Sequence, residues 1–161
     1  LADIRPPRGR GATERLALPQ GEIMLIDESY NASPAAMRAA FAVLCNHKPA
    51  AGGRRVAILG DMLELGQNAE ADHTVLGRAL ADLPVDAVYA AGPEMPALVA
   101  ALRPEQRAGH SLNTAALAVQ IVSSLREGDV VLVKGSLGIG MARIISALRE
   151  AAFEKGKAVA V

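Results

Sequence analysis

Leu25-Ile-Asp-Glu-Ser-Tyr-Asn-Ala-Ser-Pro34 is the stretch that decides how this chain folds. The apolar run Ile23 to Ile26 ends in two acids, a polar turn follows, and Pro34 opens a pattern with helical spacing. This predicts a buried strand that feeds a loop and a helix N-terminus. In open α/β sheets, ligands bind at such junctions, outside the carboxyl ends of the strands. Two carboxylates, a hydroxyl, a phenol and an amide crowd the turn, which is more chemistry than a connector needs. The same pattern recurs at Ile58-Leu-Gly-Asp-Met-Leu-Glu-Leu-Gly66 and at Val130-Val-Leu-Val-Lys-Gly-Ser136. Three strand ends carrying polar groups predict one composite site.

Working outward, residues 14–28 read as a hairpin turning near Gly21. Met37, Ala40, Phe41 and Leu44 recur at helical spacing between Pro34 and His47. Ser33 is the natural N-cap of that helix, with Pro34 in its first turn. Strands are expected at 55–59, 85–90 and 130–133, with a weak one at 107–111. Helices are expected at 69–82, from Pro93 to about Leu102, from the cap Asn113 to about Leu125, and at 140–153. Ala158 to Val161 reads as an edge strand. Strand and helix alternate about five times. That predicts an α/β, Rossmann-like three-layer domain, with a mostly parallel sheet of five to six strands. The chain has 161 residues, half of them apolar, but only two Phe, two Tyr and no Trp. A core of Ala, Val, Leu and Ile suits helices packed on a parallel sheet.

Seventeen basic residues balance seventeen acidic ones, which argues against a nucleic-acid binder. The single Cys45 rules out an intrachain disulfide framework and fits a reducing compartment. No run of about 18 apolar residues suggests a membrane span, and no signal-peptide pattern opens the chain. The chain starts at Leu1, and Pro6-Pro-Arg-Gly-Arg-Gly11 is linker-like, so it reads as a piece of a longer protein.

No G-x-x-x-x-G-K-[ST] phosphate loop occurs. Gly135-Ser-Leu-Gly-Ile-Gly140 follows a strand, but its spacing reverses the dinucleotide fingerprint and no acid follows at the right distance, so NAD is not expected. Free amides at a helix start beside Lys134 would instead suit a carboxylate or phosphate. Lys134 either snorkels at the sheet rim or faces the ligand crevice, and the Gly-Ser that follows favours the crevice. Asp61 could hold a hydroxyl or an ammonium group, or cap a turn. His73 reads as a packed helical residue and Cys45 as a small core residue. No His and acid spacing fits a metal site.

At these same segments the chain resembles the C-terminal domain of the Mur ligases, over about residues 5–150. Asp27-Glu-Ser-Tyr-Asn-Ala-Ser-Pro34, Leu59-Gly-Asp-Met-Leu-Glu-Leu-Gly66 with His73 after it, and Val131-Leu-Val-Lys-Gly-Ser136 carry the likeness. The opening Pro7-Arg-Gly-Arg-Gly11 is similar to the junction that precedes this domain. The match is strongest to the member that joins D-Ala-D-Ala to UDP-N-acetylmuramoyl-tripeptide.

The resemblance implies a cytoplasmic, bacterial, ATP-dependent ligase of peptidoglycan synthesis. Its ATP and Mg2+ would be held mainly by a central domain preceding this one. Residues 1–13 would then be the linker, 14–153 the domain and 154–161 a tail, with no catalytic or metal-binding residue in this piece, which alone would be inactive. Arg10, Asp27, Glu28, Tyr30 and Asn31 match positions facing the ATP and the closed-domain interface. Asp61, Lys134, Gly135 and Ser136 match strand ends that line the dipeptide pocket. Glu28 and Ser33 replace the family's usual Asp and Asn, and Leu137 stands where a cation often follows Lys-Gly-Ser. Other readings are a Mur ligase adding a different amino acid, or a stand-alone binding module without catalysis.

Overall fold

The computed structural model describes Gly9 and residues 11–159, with side chains through residue 156. Strands β1 (Ala12–Leu18) and β2 (Gly21–Glu28) form an antiparallel hairpin, Leu18 pairing with Gly21. Then come α1 (Pro34–Asn46), β3 (Arg55–Gly60), α2 (Ala69–Ala81), β4 (Ala87–Ala91), α3 (Met95–Ala101), β5 (Arg107–Ser111), α4 (Thr114–Ser124), β6 (Val130–Lys134) and α5 (Ala142–Val159). The six described strands lie in the order β1-β2-β6-β3-β4-β5, and every pairing except β1–β2 is parallel.

The apolar pattern explains this order. All five residues of β6 are buried, because β2 and β3 flank it and helices cover both faces. Hairpin strand β1 instead alternates, burying Leu16 and Leu18 and exposing their neighbours. One face packs Leu25, Ile58, Val131 and Val133 under α4 and α5. The other packs Ile26, Leu59 and Leu132 under α1, α2 and α3, with Cys45 at its margin. Burying a large aliphatic or aromatic side chain such as Phe41 is worth about 1.5–3 kcal/mol. Both expected caps form: the Ser33 hydroxyl accepts from Ala36 N at 3.2 Å, and Asn113 Oδ1 from Ala115 N at 2.8 Å.

Two terminal expectations change. Where an edge strand was expected at 158–161, α5 continues through Val159, because Glu150 to Lys157 is rich in helix formers that propagate the coil. Residues 160 and 161 lie outside the described residues. Helix α5 also begins at Ala142 rather than at Gly140, whose left-handed φ of 77° ends a 3-10 turn over Leu137–Ile139.

At the amino edge of the sheet, Arg54 clasps Asp129. The Arg54 backbone N–H donates to Asp129 Oδ1 at 2.8 Å, and its Nη2 donates to Oδ2 at 2.8 Å. Arg126 N also donates to Oδ2, at 2.8 Å. The hydrogen bond to Asp129 pushes the Arg54 guanidinium above its ordinary pKa.

Candidate functional site

The parallel register brings the three polar strand ends together. Glu28 pairs with Lys134, and Lys134 with Leu59, so the loops after β2, β6 and β3 share the carboxyl edge. The loops after β2 and β3 lead to helices on one face, and the loop after β6 leads to α5 on the other. Loops that part to opposite faces leave a crevice between them. Asp27, Glu28, Tyr30, Asn31, Asp61, Lys134, Gly135 and Ser136 all sit on this edge. Arg10 lies outside the described residues.

Asp27 is buried and already engaged. Its Oδ1 accepts from Ser29 Oγ at 2.6 Å and Ser29 N at 3.1 Å, and its Oδ2 accepts from Gly9 N at 3.2 Å. Arg149 of α5 stands 3.7 Å from the same Oδ2 and pairs with Glu14. Asp27 therefore ties the loop of residues 28–31 to Gly9. Glu28 is more open, with a 3.7 Å pairing to Lys134. Asn31 Oδ1 accepts from Ala32 N, and Tyr30 is exposed at the rim.

Lys134 lines a hollow on this edge but is more enclosed than a rim lysine. A strand-end lysine can face a crevice without burying its charge, but here the loop of residues 28–33 folds over it and leaves it 4% exposed. Its Nζ donates to Asn31 O at 2.8 Å. Burial lowers its pKa, and Glu28 partly opposes that.

Asp61 is fully buried, and its carboxylate accepts from Glu94 N at 3.1 and 3.2 Å, just before α3. Burial raises its pKa, while the bond from the Glu94 amide and the nearby His73 lower it. His73 is packed, as expected. Its Nε2 accepts from Met62 N at 3.1 Å, so Nδ1 carries the proton and donates to Ala69 O at 2.6 Å. Ser136 closes the gap between loops: its N–H donates to Asp61 O at 3.1 Å and its hydroxyl accepts from Leu63 N at 2.9 Å. Gly135 is needed for close approach, since a Cβ there would lie 2.6 Å from Met141 Cγ and 3.0 Å from Gly60 Cα. The expected row of free amides is largely spent: Ile139, Gly140, Arg143 and Ile144 all donate within the turn.

Three hollows open along this edge. One of about 240 Å³ lies between Asp27, Tyr30 and Arg149. One of about 220 Å³ lies between Glu28, Asn31 and Lys134. The third, of about 380 Å³, lies between Asn31, Leu63, Glu64 and Leu137. Reading the sequence missed Arg149 and Glu64. Arg149 had a usable signal, because Ala142, Ile145, Ser146 and Arg149 line the first hollow at helical spacing. Glu64 stands inside the strand-end stretch Ile58 to Gly66, but its positive φ of 64° could not be read from the sequence.

A family model described as Mur ligase, glutamate ligase domain, matches residues 13–137. The UDP-N-acetylmuramoyl-tripeptide--D-alanyl-D-alanine ligase of Escherichia coli (strain K12) is 34% identical over 152 residues, which are 93% of this chain and 31% of that protein. The enzyme of the same name from Mycobacterium tuberculosis (strain CDC 1551 / Oshkosh) is 35% identical over 145 residues, 78% of this chain and 28% of that protein. A crystal structure of MurF from Acinetobacter baumannii superposes with a TM-score of 0.78 at 30% identity, covering 93% of this chain and 32% of that one. A MurF ligase from Thermotoga maritima in complex with ADP gives a TM-score of 0.76 at 25% identity, covering 96% of this chain and 34% of that one. The chain thus spans about a third of the length of these relatives.

Proposed function

This chain belongs to the Mur ligase family through its glutamate ligase domain, and we propose that it serves an ATP-dependent ligase joining D-Ala-D-Ala to UDP-N-acetylmuramoyl-tripeptide in bacterial peptidoglycan synthesis, in the cytoplasm. Its part in the reaction is to bind the incoming dipeptide and to close over the nucleotide. The observation that supports this reading is the shared carboxyl edge, where the Glu28–Lys134 register sets a hollow between Glu28, Asn31 and Lys134 beside one between Asn31, Leu63, Glu64 and Leu137; we assign the first to the nucleotide and the second to the dipeptide.

ATP, when bound, supplies the phosphoryl group that activates the substrate carboxylate. The residues here fit the nucleoside end of that molecule. Glu28 keeps acceptor capacity for a ribose hydroxyl, while the three hydrogen bonds already on Asp27 make it a loop anchor. Tyr30 and Asn31 sit at the rim that a closing domain would present, and Arg10 precedes them in the chain. Among the described residues no grouping of three His, Cys, Asp or Glu could hold a metal ion, so no metal-bound step is assigned to this chain. On the dipeptide side, Ser136 lines the larger hollow, while Lys134 lines the smaller one beside it and Gly135 lets the turn between them approach Gly60. Asp61 acts through its loop, its carbonyl holding Ser136 N and its carboxylate holding the start of α3. Closure would exclude water that would otherwise hydrolyse the activated carboxylate.

The test is an amide-shift titration of the 15N-labelled chain. D-Ala-D-Ala is expected to move resonances in 61–66 and 134–138, and ADP those in 27–31. Shifts centred on the amino edge, around Arg54 and Asp129, would overturn the assignment. A second arm joins this chain behind the preceding two-thirds of the E. coli relative and measures D-Ala-D-Ala-dependent phosphate release.

A further inference from the structure

We propose that Glu64 recognises the amino group of the ligand in the 380 Å³ hollow, and so makes that hollow selective for a small alkylammonium over the same molecule without its charge. Identifying that ligand with the incoming dipeptide rests on the function proposed above; the cation preference does not.

The first support is the backbone. Glu64, with φ 64°, is the one non-glycine residue with positive φ among those described. A left-handed conformation is costly for a side chain of this kind, and glycine would relieve it. The cost is sustained because the loop before Glu64 is fixed from three sides. The Asp61 N–H donates to Ala91 O at 3.1 Å, Met62 N to His73 Nε2 at 3.1 Å, and Leu63 N to Ser136 Oγ at 2.9 Å. Three consecutive amides are thus held by β4, α2 and the turn after β6. The next residue is delivered in a fixed orientation at the mouth of the hollow.

The second support is the lining. Glu64 is exposed, lines the hollow, and has no hydrogen-bond or ion-pair partner among the described residues. It is the only charged side chain among the described residues that line it. The walls beside it mix apolar and neutral polar groups: Leu63 and Leu137 remain 41% and 60% exposed, Leu65 and Ala32 add aliphatic surface, and Asn31, Ser33 and Ser136 add an amide and two hydroxyls. Leu63 fits against Gly138, where a Cβ would come within 2.8 Å of Leu63 Cδ1, so the two rims meet at that end. A single carboxylate among aliphatic and neutral polar walls, in a volume at the low end of ligand-sized cavities (about 300–1,000 Å³), suits a compact cation with methyl-sized substituents and a neutral polar group. It does not suit an anion. Lys134, the nearest buried cation on this edge, opens on the neighbouring hollow instead.

The experiment titrates the 161-residue chain by amide shifts with four probes: propylammonium, 1-propanol, D-Ala-D-Ala and N-acetyl-D-Ala-D-Ala. It compares wild type, Glu64→Gln and Glu64→Gly. Propylammonium is expected to shift 62–66 and 136–138 well below the concentration at which propanol does. Both substitutions should erase that preference, and should weaken D-Ala-D-Ala about 10-fold or more while leaving the N-acetyl compound, an anion, bound no more weakly than by wild type. Glu64→Gly should melt no lower than wild type, since it removes the strained side chain. Propylammonium leaving the hollow untouched, or Glu64→Gln retaining the preference, overturns the proposal. If propylammonium binds here in a Glu64-dependent way and D-Ala-D-Ala does not, the cation site stands and the dipeptide assignment falls.

Discussion

Lys134 ends a strand whose other four residues are all buried and apolar, and its ammonium is buried with them. Its pKa is therefore below the ordinary 10.5, chiefly through burial. The sign of the pH effect follows. With the folded pKa lowered, the unfolded chain binds more protons between the two values, so stability rises with pH across that window, up to about 10.4. Urea unfolding at neutral pH and near the upper end of the window should show wild type gaining on Lys134→Met as pH rises. Parallel pH profiles for the two proteins would mean that the lysine is solvated. Because Nζ also holds Asn31 O, Lys134→Ala in the joined ligase should lower both melting temperature and efficiency. The stability loss should be about 1.5–3 kcal/mol, from one charge-assisted hydrogen bond. Sequence spacing placed this lysine on the right edge. It could not show the loop of residues 28–33 folding over it, nor that Asp61 would spend its carboxylate on Glu94, a contact 33 residues away.

Elements were more legible than contacts between them. The strands could be read because a parallel sheet covered on both faces needs unbroken apolar runs, as at Val130–Val133. Both caps could be read because their hydrogen bonds are local. The register that brings Glu28 opposite Lys134 depends on residues more than a hundred positions apart, and only the alternation of strands and helices hinted at it. Helix packing was not legible at all, and Gly77 shows why. In the interior of α2, glycine would ordinarily be improved by alanine, by about 0.5–1 kcal/mol. Here an added Cβ would lie 2.3 Å from Leu98 O and 2.8 Å from Ala101 Cβ, so α2 and α3 touch across that glycine. Backbone cannot move aside as a flexible side chain can. Gly77→Ala should therefore destabilise, by about 1–3 kcal/mol from overpacking, with the sign of the propensity effect reversed. A denaturation midpoint at or above that of wild type would show that the two helices separate at little cost.

The molecule as a whole holds the two ends of its sheet by different means. The amino edge is fixed by one half-buried ion pair, with Asp129 1% exposed and accepting from the partly exposed Arg54 side chain and from two backbone amides. The carboxyl edge is fixed by a mesh of single hydrogen bonds around three hollows, with Ser136 joining the loops after β3 and β6. Removing Asp129 strips two backbone amides and the Arg54 side chain of their acceptor at once. Leaving a buried amide without its acceptor costs about 1–3 kcal/mol. Asp129→Ala should therefore be the more destabilising change in urea. It should still leave the amide shifts induced at 62–66 by propylammonium as in wild type, wherever the variant remains folded. Ser136→Ala should unfold at higher urea than Asp129→Ala, but it frees Leu63 N and with it the orientation of Glu64. Its affinity for propylammonium should fall several-fold, consistent with a fraction of one hydrogen bond's worth of lost preorganisation. If instead Asp129→Ala weakens binding as much as Ser136→Ala does, the two edges are coupled through the sheet, and the carboxyl edge is not the independently held site described above.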